Sequence, residues 1–253
     1  MFSVSTKIYK GQCCGNCFLI VDCRNSVIID RKSKVYFSLN QIPRYHVDSV
    51  LFIESSDYAD IRMEIFEQDG SESDSCGNGM LLISHLLRMD RGSIETKGGI
   101  VVVAGDSGRI SISLSLPEPA CLSAELVDEG WIFVQVGEPH LVCLIPSGLE
   151  EFDLIGTGKG MQDRYLNGVN VDIVQKIGDR KYRIRTYERG VFNETLSCGT
   201  GSLSAYLAIS RFNGKIKRVP FEFQSSGGTH WVFEDTGKLY LQTSRGSCGF
   251  EIL

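Results

Sequence analysis

The sequence lacks what would mark a membrane, nucleic-acid-binding or disulfide-stapled protein. No stretch approaches the ~18 consecutive apolar residues of a membrane span, and the opening "MFSVSTKIYKGQ" has no apolar core of a secretory signal. A soluble, cytoplasmic protein without a membrane partner is therefore expected. Basic residues are not in excess: 26 Lys and Arg stand against 31 Asp and Glu, a net charge of −5. The two signs are interspersed, with no basic stripe to track a phosphate backbone, so no nucleic-acid partner is expected. Proline is scarce, 6 in all, and no Pro-rich or low-complexity linker divides the chain. The 9 cysteines are an odd number in a chain too large to need stapling, which favours reduced thiols over a bridged framework.

What is present points to a mainly β protein. With 253 residues, 42% of them hydrophobic, the chain suits one large domain or two small ones. Alternating stretches, "KVYFSLN", "SVLFIE", "IRMEIF", "GRISISLSL", "WIFVQV", "KYRIRTY", "VPFEFQ" and "KLYLQT", are separated by Gly, Asp, Asn and Ser turns. The two best helices follow Cys76 and Cys198 and are apolar on every face: Met80, Leu81, Leu82, Ile83, Leu86 and Leu87 in one, Leu203, Ala205, Leu207, Ala208 and Ile209 in the other. Helices of that kind are buried all round. The fold class is α+β: two similar domains related by pseudo-twofold symmetry, each a curved, mainly antiparallel sheet around a central helix. "SLPEPACLSAE", Ser115 to Glu125, is the boundary candidate, dividing 1–116 from 117–243.

A repeat carries that reading. "SESDSCGNGMLLISHLL" begins at Ser71 and "NETLSCGTGSLSAYLAI" at Asn193. Each cysteine has a Glu four residues before it (Glu72, Glu194), a Ser one before (Ser75, Ser197), and glycines one and three after (Gly77 and Gly79; Gly199 and Gly201). Gly92 and Gly214 follow at equal distance as expected helix C-termini, with Arg88 and Arg211 in the preceding turns. Strand-like "DIRMEIF" and "RKYRIRTY" lie upstream, giving a duplicated unit of strand, turn, Cys-Gly-x-Gly and buried helix.

The unit has chemical content. Glycines beside a cysteine at a helix start let backbone N–H groups approach a ligand, and the helix end favours an anion, naturally a carboxylate. The same field is expected to lower the thiol pKa. Two such helix ends converging on one carboxylate would set a thiol on each side of the adjacent carbon, one removing a proton and the other delivering one. A lone Cys-Gly-x-Gly is more often a tight helix entry with a buried thiol. Two copies in register argue against coincidence, since a structural turn does not require cysteine in both. Cys14 and Cys17 have the spacing of a redox or zinc pair, with Cys13 and Cys23 nearby, but no second pair or His completes a four-ligand site, so no metal is expected. His140 in "VGEPHLV" and the charged "YERG" become functional only if they lie near the cysteines.

The sequence resembles the cofactor-independent diaminopimelate epimerases along most of its length. The likeness runs through "GNCF" (Gly15 to Phe18), "DGSESDSCGNG" (Asp69 to Gly79), "VGEPH" (Val136 to His140), "GVNV" (Gly168 to Val171) and "YERGVFNETLSCGTG" (Tyr187 to Gly201). The resemblance implies two α+β domains with the last strand, 244–253, returning to the first, and a homodimer. It makes Cys76 and Cys198 the catalytic pair and sets the substrate α-carboxylate against Gly77, Asn78, Gly199 and Thr200. The α-amino group falls near Glu188 and Arg189, His140 and Glu188 tune the thiols, and Asn16, Asn170 and Arg189 hold other parts of a small amino-acid substrate. It implies neither pyridoxal phosphate nor metal, and interconversion of LL- and meso-diaminopimelate for lysine and peptidoglycan precursors.

Departures from the family pattern cluster away from the two cysteines. Cys17 replaces an Asp, Glu67 and Glu138 replace Asn, Ser49 replaces a longer polar residue, and "ERGVFNET" is one residue longer. Ser49, Glu67 and Glu138 map to the distal end of the substrate, where carboxylates in place of amides would repel a distal carboxylate or attract an ammonium. Two alternatives therefore stay beside the epimerase: a racemase of altered or broader specificity using the same thiols, and a non-catalytic amino-acid-binding protein.

Overall fold

The computed structural model describes residues 6–25, 30–114, 124–128, 130–165, 168–213 and 219–253, with only the backbone of 124–128 and 211–213. The chain divides into two compact units, one running to Ser113 and including Thr243–Leu253, the other Leu114–Gln242. The boundary candidate lies outside the described residues as far as residue 123, and its last two residues open a strand.

In the first unit, β1 (Lys7–Cys13) and β2 (Asn16–Asp22) form a hairpin. Its two-residue turn sets Cys14 and Gly15 at φ 49° and 86°, the left-handed pair that matches strand twist. Helix α1 (Arg31–Tyr45) then leads to β3 (Ser49–Glu54), parallel to β2. Strands β4 (Ile61–Phe66) and β5 (Glu72–Ser73) follow antiparallel, α2 (Gly77–Leu86) intervenes, and β6 (Arg91–Thr96) returns parallel to β4. β7 (Gly99–Gly105) and β8 (Arg109–Leu114) complete a meander.

The second unit repeats this order. β9 (Ala124–Asp128), β10 (Trp131–Val136) and β11 (Glu138–Ile145) are antiparallel, and α3 (Leu154–Gln162) crosses to β12 (Asn170–Gly178), parallel to β11. β13 (Lys181–Glu188) and β14 (Asn193–Thr195) follow, then α4 (Gly199–Asn213), β15 (Phe221–Ser225) parallel to β13, β16 (Gly228–Asp235) and β17 (Lys238–Ser244). The chain closes with β18 (Cys248–Ile252), antiparallel to β1 in the first unit.

The two registers superpose residue by residue. Phe18 faces Ser49 as His140 faces Asn170, Val50 faces Phe66 as Val171 faces Tyr187, and Phe66 faces Glu72 as Tyr187 faces Glu194. This α+β architecture, mixed but mainly antiparallel, is the expected class. Met80, Leu81, Leu82 and Ile83 of α2 are fully enclosed, as are Leu203, Ala205 and Ala208 of α4. Leu19, Val21, Val50, Phe52 and Phe66 pack as one cluster with Ile42 of α1, and Leu141, Val171, Ile173 and Tyr187 with Leu154 of α3. Among the described residues no helix is long and apolar enough to cross a membrane.

Three expectations need correction. "KVYFSLN", read as a strand, lies in α1, where Asp30 caps the Ser33 amide at 3.1 Å. The buried positions are Lys34, Ser38 and Ile42, four residues apart, and the first two are polar, which hid the helical period. Helix α3 escaped notice because "LIGTGKGMQ" is glycine-rich. Gly158 earns its place by close approach: a Cβ there would stand 2.3 Å from the Tyr187 ring. Gly92 is not a helix C-terminus but part of β6. Helix α2 stops at Leu86, with Arg88 taking the left-handed position at φ 54° while the Arg88 and Met89 amides reach back to His85 and Ser84. The matching Gly214 lies outside the described residues.

Lys34 is buried with its ammonium 2.7 Å from both Glu54 and Glu64. Removing one member of a buried ionic group strands the others. Lys34→Met is expected to lower stability by ~3–5 kcal/mol in urea unfolding; an unchanged midpoint would show that the carboxylates need no ammonium.

Candidate active site

Each unit builds a cysteine into the mouth of its buried helix. Cys76 caps α2 from an extended conformation (φ −140°, ψ 116°), and its Sγ accepts the Gly79 amide at 3.4 Å. Cys198 precedes α4 in the same way, its Sγ accepting the Gly201 amide at 3.3 Å. Both thiols are only partly exposed. The glycine three residues on lets the helix mouth press against the sheet: a Cβ on Gly79 would lie 3.3 Å from Leu51, and one on Gly201 would lie 2.5 Å from Asp172 Oδ1. First-turn amides have no carbonyl behind them within the helix, and in an enclosed setting this makes an anion cradle.

Around Cys76, Asn78 is buried and its side-chain amide donates to Asn16 Oδ1, so the β1–β2 hairpin braces the helix mouth. The Cys17 amide donates to Asp48 at 2.7 Å, while the Cys14 thiol contacts the Thr243 hydroxyl at 3.3 Å. Among the described residues no group of three or more His, Cys, Asp or Glu is placed to hold a metal ion. Ser49 and Glu67, separated by 18 positions, are joined directly: Ser49 donates to one Glu67 oxygen at 2.7 Å and Ser73 to the other at 2.6 Å. Burial raises the Glu67 carboxyl above its ordinary range, opposed by those two hydroxyls and reinforced by Asp69 and Asp48.

Around Cys198 the network is denser. Glu188, at the position in β13 that Glu67 follows in β4, accepts the Thr195 hydroxyl at 2.6 Å. Burial pushes its carboxyl up, opposed by Thr195, His140 and a hydrogen bond with Cys198. His140 Nδ1 lies 2.7 Å from Asp172 Oδ2 and its Nε2 3.0 Å from the Thr200 hydroxyl, which is 3.3 Å from Cys198 Sγ. Asn170 approaches His140 Nε2 at 3.3 Å and accepts the Arg189 amide at 2.9 Å. The Arg189 guanidinium forms an ion pair with Glu138. The second unit thus brings together Glu138, His140, Asn170, Glu188, Arg189, Cys198, Gly199 and Thr200.

One electrostatic expectation is overturned. The net shift of the Cys198 pKa is not downward: burial, then the charges of Glu188 and Asp172, push the thiol well above its ordinary value. The Thr200 hydroxyl and Gly201 amide act the other way and do not prevail. Sequence reading also missed Asp172, Thr195 and Ser73. Asp172 was the detectable one, a lone carboxylate inside the otherwise apolar "VNVDIV" of a buried strand.

The duplicated α+β fold is shared with epimerases and related proteins of known structure. Solved structures share the fold: a phenazine biosynthesis protein of the PhzF family from Bacillus anthracis (TM-score 0.69, 17% identity, 98% of each chain) and a hydroxyproline epimerase from Agrobacterium vitis (TM-score 0.65, 13% identity, 100% of this chain and 92% of that one). The diaminopimelate epimerase family model matches residues 8–112 and 132–243, and the chain belongs to that family. A diaminopimelate epimerase of Thermotoga maritima is 34% identical over 247 residues, covering 94% of this chain and 98% of its own. One from Aquifex aeolicus is 28% identical over 265 residues, covering 94% of each.

If Glu188 holds the Cys198 proton in place, removing its charge frees the thiolate. Glu188→Gln is expected to speed iodoacetamide labelling of Cys198 at pH 8, by about tenfold for each pKa unit recovered, read by peptide mass spectrometry. Equal rates in the two proteins would exclude Glu188 as the cause.

Proposed function

We propose that this enzyme interconverts LL- and meso-diaminopimelate by a two-base proton transfer in which Cys76 and Cys198 act on opposite faces of the α-carbon. The observation that carries the reading is the paired capping geometry: each sulfur accepts the amide three residues on, at the mouth of an enclosed helix. First-turn amides including those of Gly77 and Gly199, with Asn78 and Thr200 beside them, receive the α-carboxylate and stabilise charge driven into it as the α-proton leaves. Glu188 and Arg189 stand by the α-amino group, and Asn16 and Asn170 hold the remainder. In the direction in which Cys198 delivers its proton Cys76 is the base, and the roles exchange with the direction of reaction. For the reverse direction Cys198 must give up its proton, and Glu188, hydrogen-bonded to it, is the acceptor. The product enters lysine and peptidoglycan precursor synthesis in the cytoplasm, and the enzyme works as a homodimer.

The reading is tested by α-proton exchange in heavy water under reductant. LL-Diaminopimelate should exchange and epimerise, and Cys76→Ala and Cys198→Ala should each abolish epimerisation. Epimerisation by either variant would end the two-thiol scheme, and no exchange on any amino acid would favour a binding protein.

The Arg189–Glu138 ion pair favours a second reading, a racemase of altered specificity. With Glu138 neutralising the guanidinium, and Glu67 a buried carboxylate held by the Ser49 and Ser73 hydroxyls, a side chain ending in an ammonium is better matched than one ending in a carboxylate. Glu138→Gln should raise kcat/KM for diaminopimelate relative to lysine or ornithine by about tenfold. A ratio unmoved by the substitution would remove Glu138 from specificity.

A further inference from the structure

Asn170 fixes where the proton of His140 resides. Its Oδ1 accepts the Arg189 amide at 2.9 Å, so its amino group is the side facing the Pro139 carbonyl at 3.2 Å and His140 Nε2 at 3.3 Å. A donor facing Nε2 and a carboxylate facing Nδ1 agree in placing the proton of the neutral ring on Nδ1; the Asn170 amino group donates to the Pro139 carbonyl, which leaves the single Nε2 lone pair to the nearer Thr200 hydroxyl. Nδ1 points to Asp172 Oδ2 at 2.7 Å, and the other oxygen of Asp172 accepts the Thr186 hydroxyl at 2.7 Å. With Nε2 bare, the Thr200 hydroxyl 3.0 Å away donates to it and turns its own lone pairs toward Cys198 Sγ at 3.3 Å. The order of donors runs one way, from the thiol through Thr200 and His140 to Asp172.

The duplicated fold supplies an internal control. By register, Phe18 occupies in the first unit the position of His140, and Leu51 that of Asp172. All four are buried, with exposures of 1%, 0%, 0% and 0% for Phe18, Leu51, His140 and Asp172. The architecture is thus satisfied by an apolar pair, whereas a carboxylate and an imidazole in the same place must overcome desolvation. Packing gives no reason for them.

We propose that Asp172 is a positioning residue that holds His140 as the Nδ1–H tautomer, so that bare Nε2 takes a proton from Cys198 through the Thr200 hydroxyl. The thiol proton passes to the Thr200 oxygen as the Thr200 proton passes to Nε2. Sulfur becomes thiolate, His140 becomes imidazolium against the Asp172 carboxylate, and no proton enters or leaves. Cys198 then has a proton acceptor on two sides, Glu188 directly and His140 through the hydroxyl. The proposal rests on the reading of Cys198 as a proton-transferring thiol.

Nitrogen NMR of the protein labelled with 15N-histidine reads the tautomer without any substrate, alongside epimerisation kinetics on diaminopimelate. In the unaltered protein His140 should carry its proton on Nδ1. Asp172→Asn should lose the exclusive Nδ1–H form and lower kcat by about a hundredfold, with KM within about twofold, and Asp172→Glu should recover part of the rate and the tautomer. An unaltered, active protein with the proton on Nε2 overturns the proposal alone, even if the Asn variant does not fold; so does an Asn variant with unchanged kcat. Absence of epimerisation and exchange in the unaltered protein overturns the reaction on which the proposal rests, and the proposal with it.

Discussion

The constraint on which the rest depends is a helix mouth pressed against a sheet. A buried helix start leaves amides with no internal carbonyl, and an enclosed position withholds the water that would otherwise serve them. In both units the capping sulfur takes one of these amides, and a glycine at that position lets the first turn approach within contact of the neighbouring strands. Cysteine is a weak acceptor, and a carboxylate would be a better one for the same amides. The fold therefore sets an anion cradle beside each of the two sulfurs.

The second consequence concerns electrostatics. A helix end favours thiolate, but burial and two carboxylates oppose it at Cys198, and opposition prevails. A thiol that keeps its proton until an acceptor is arranged is suited to acid–base work in which roles alternate. A permanently ionised thiol would instead be a nucleophile. Beside the thiol stand Glu188 of β13 and, through the Thr200 hydroxyl, His140 of β11 with Asp172 of β12 behind it.

Duplication separates scaffold from chemistry. Positions that match in kind across the units, the capping cysteines, the following glycines, the carboxylates Glu67 and Glu188 and their hydroxyl donors Ser73 and Thr195, belong to the shared plan of the two mouths. Positions that differ, Phe18 against His140 and Leu51 against Asp172, show where one unit has taken on a polar network that the fold does not demand.

The sequence by itself determined the duplicated Cys-Gly-x-Gly unit, the buried helices behind it and most strands, because spacing, glycine and apolar alternation are local signals written along the chain. It obscured α1, whose buried stripe holds Lys34 and Ser38, and α3, whose Gly158 exists to admit the Tyr187 ring. Only tertiary structure joined Ser49 to Glu67, set Asp172 behind His140 and surrounded Cys198 with carboxylates. Ser49 is 18 residues from Glu67, and Asp172 is 32 from His140 and 14 from Thr186. No local pattern encodes which side chains meet across paired strands; register decides that, and with it the proton on each group.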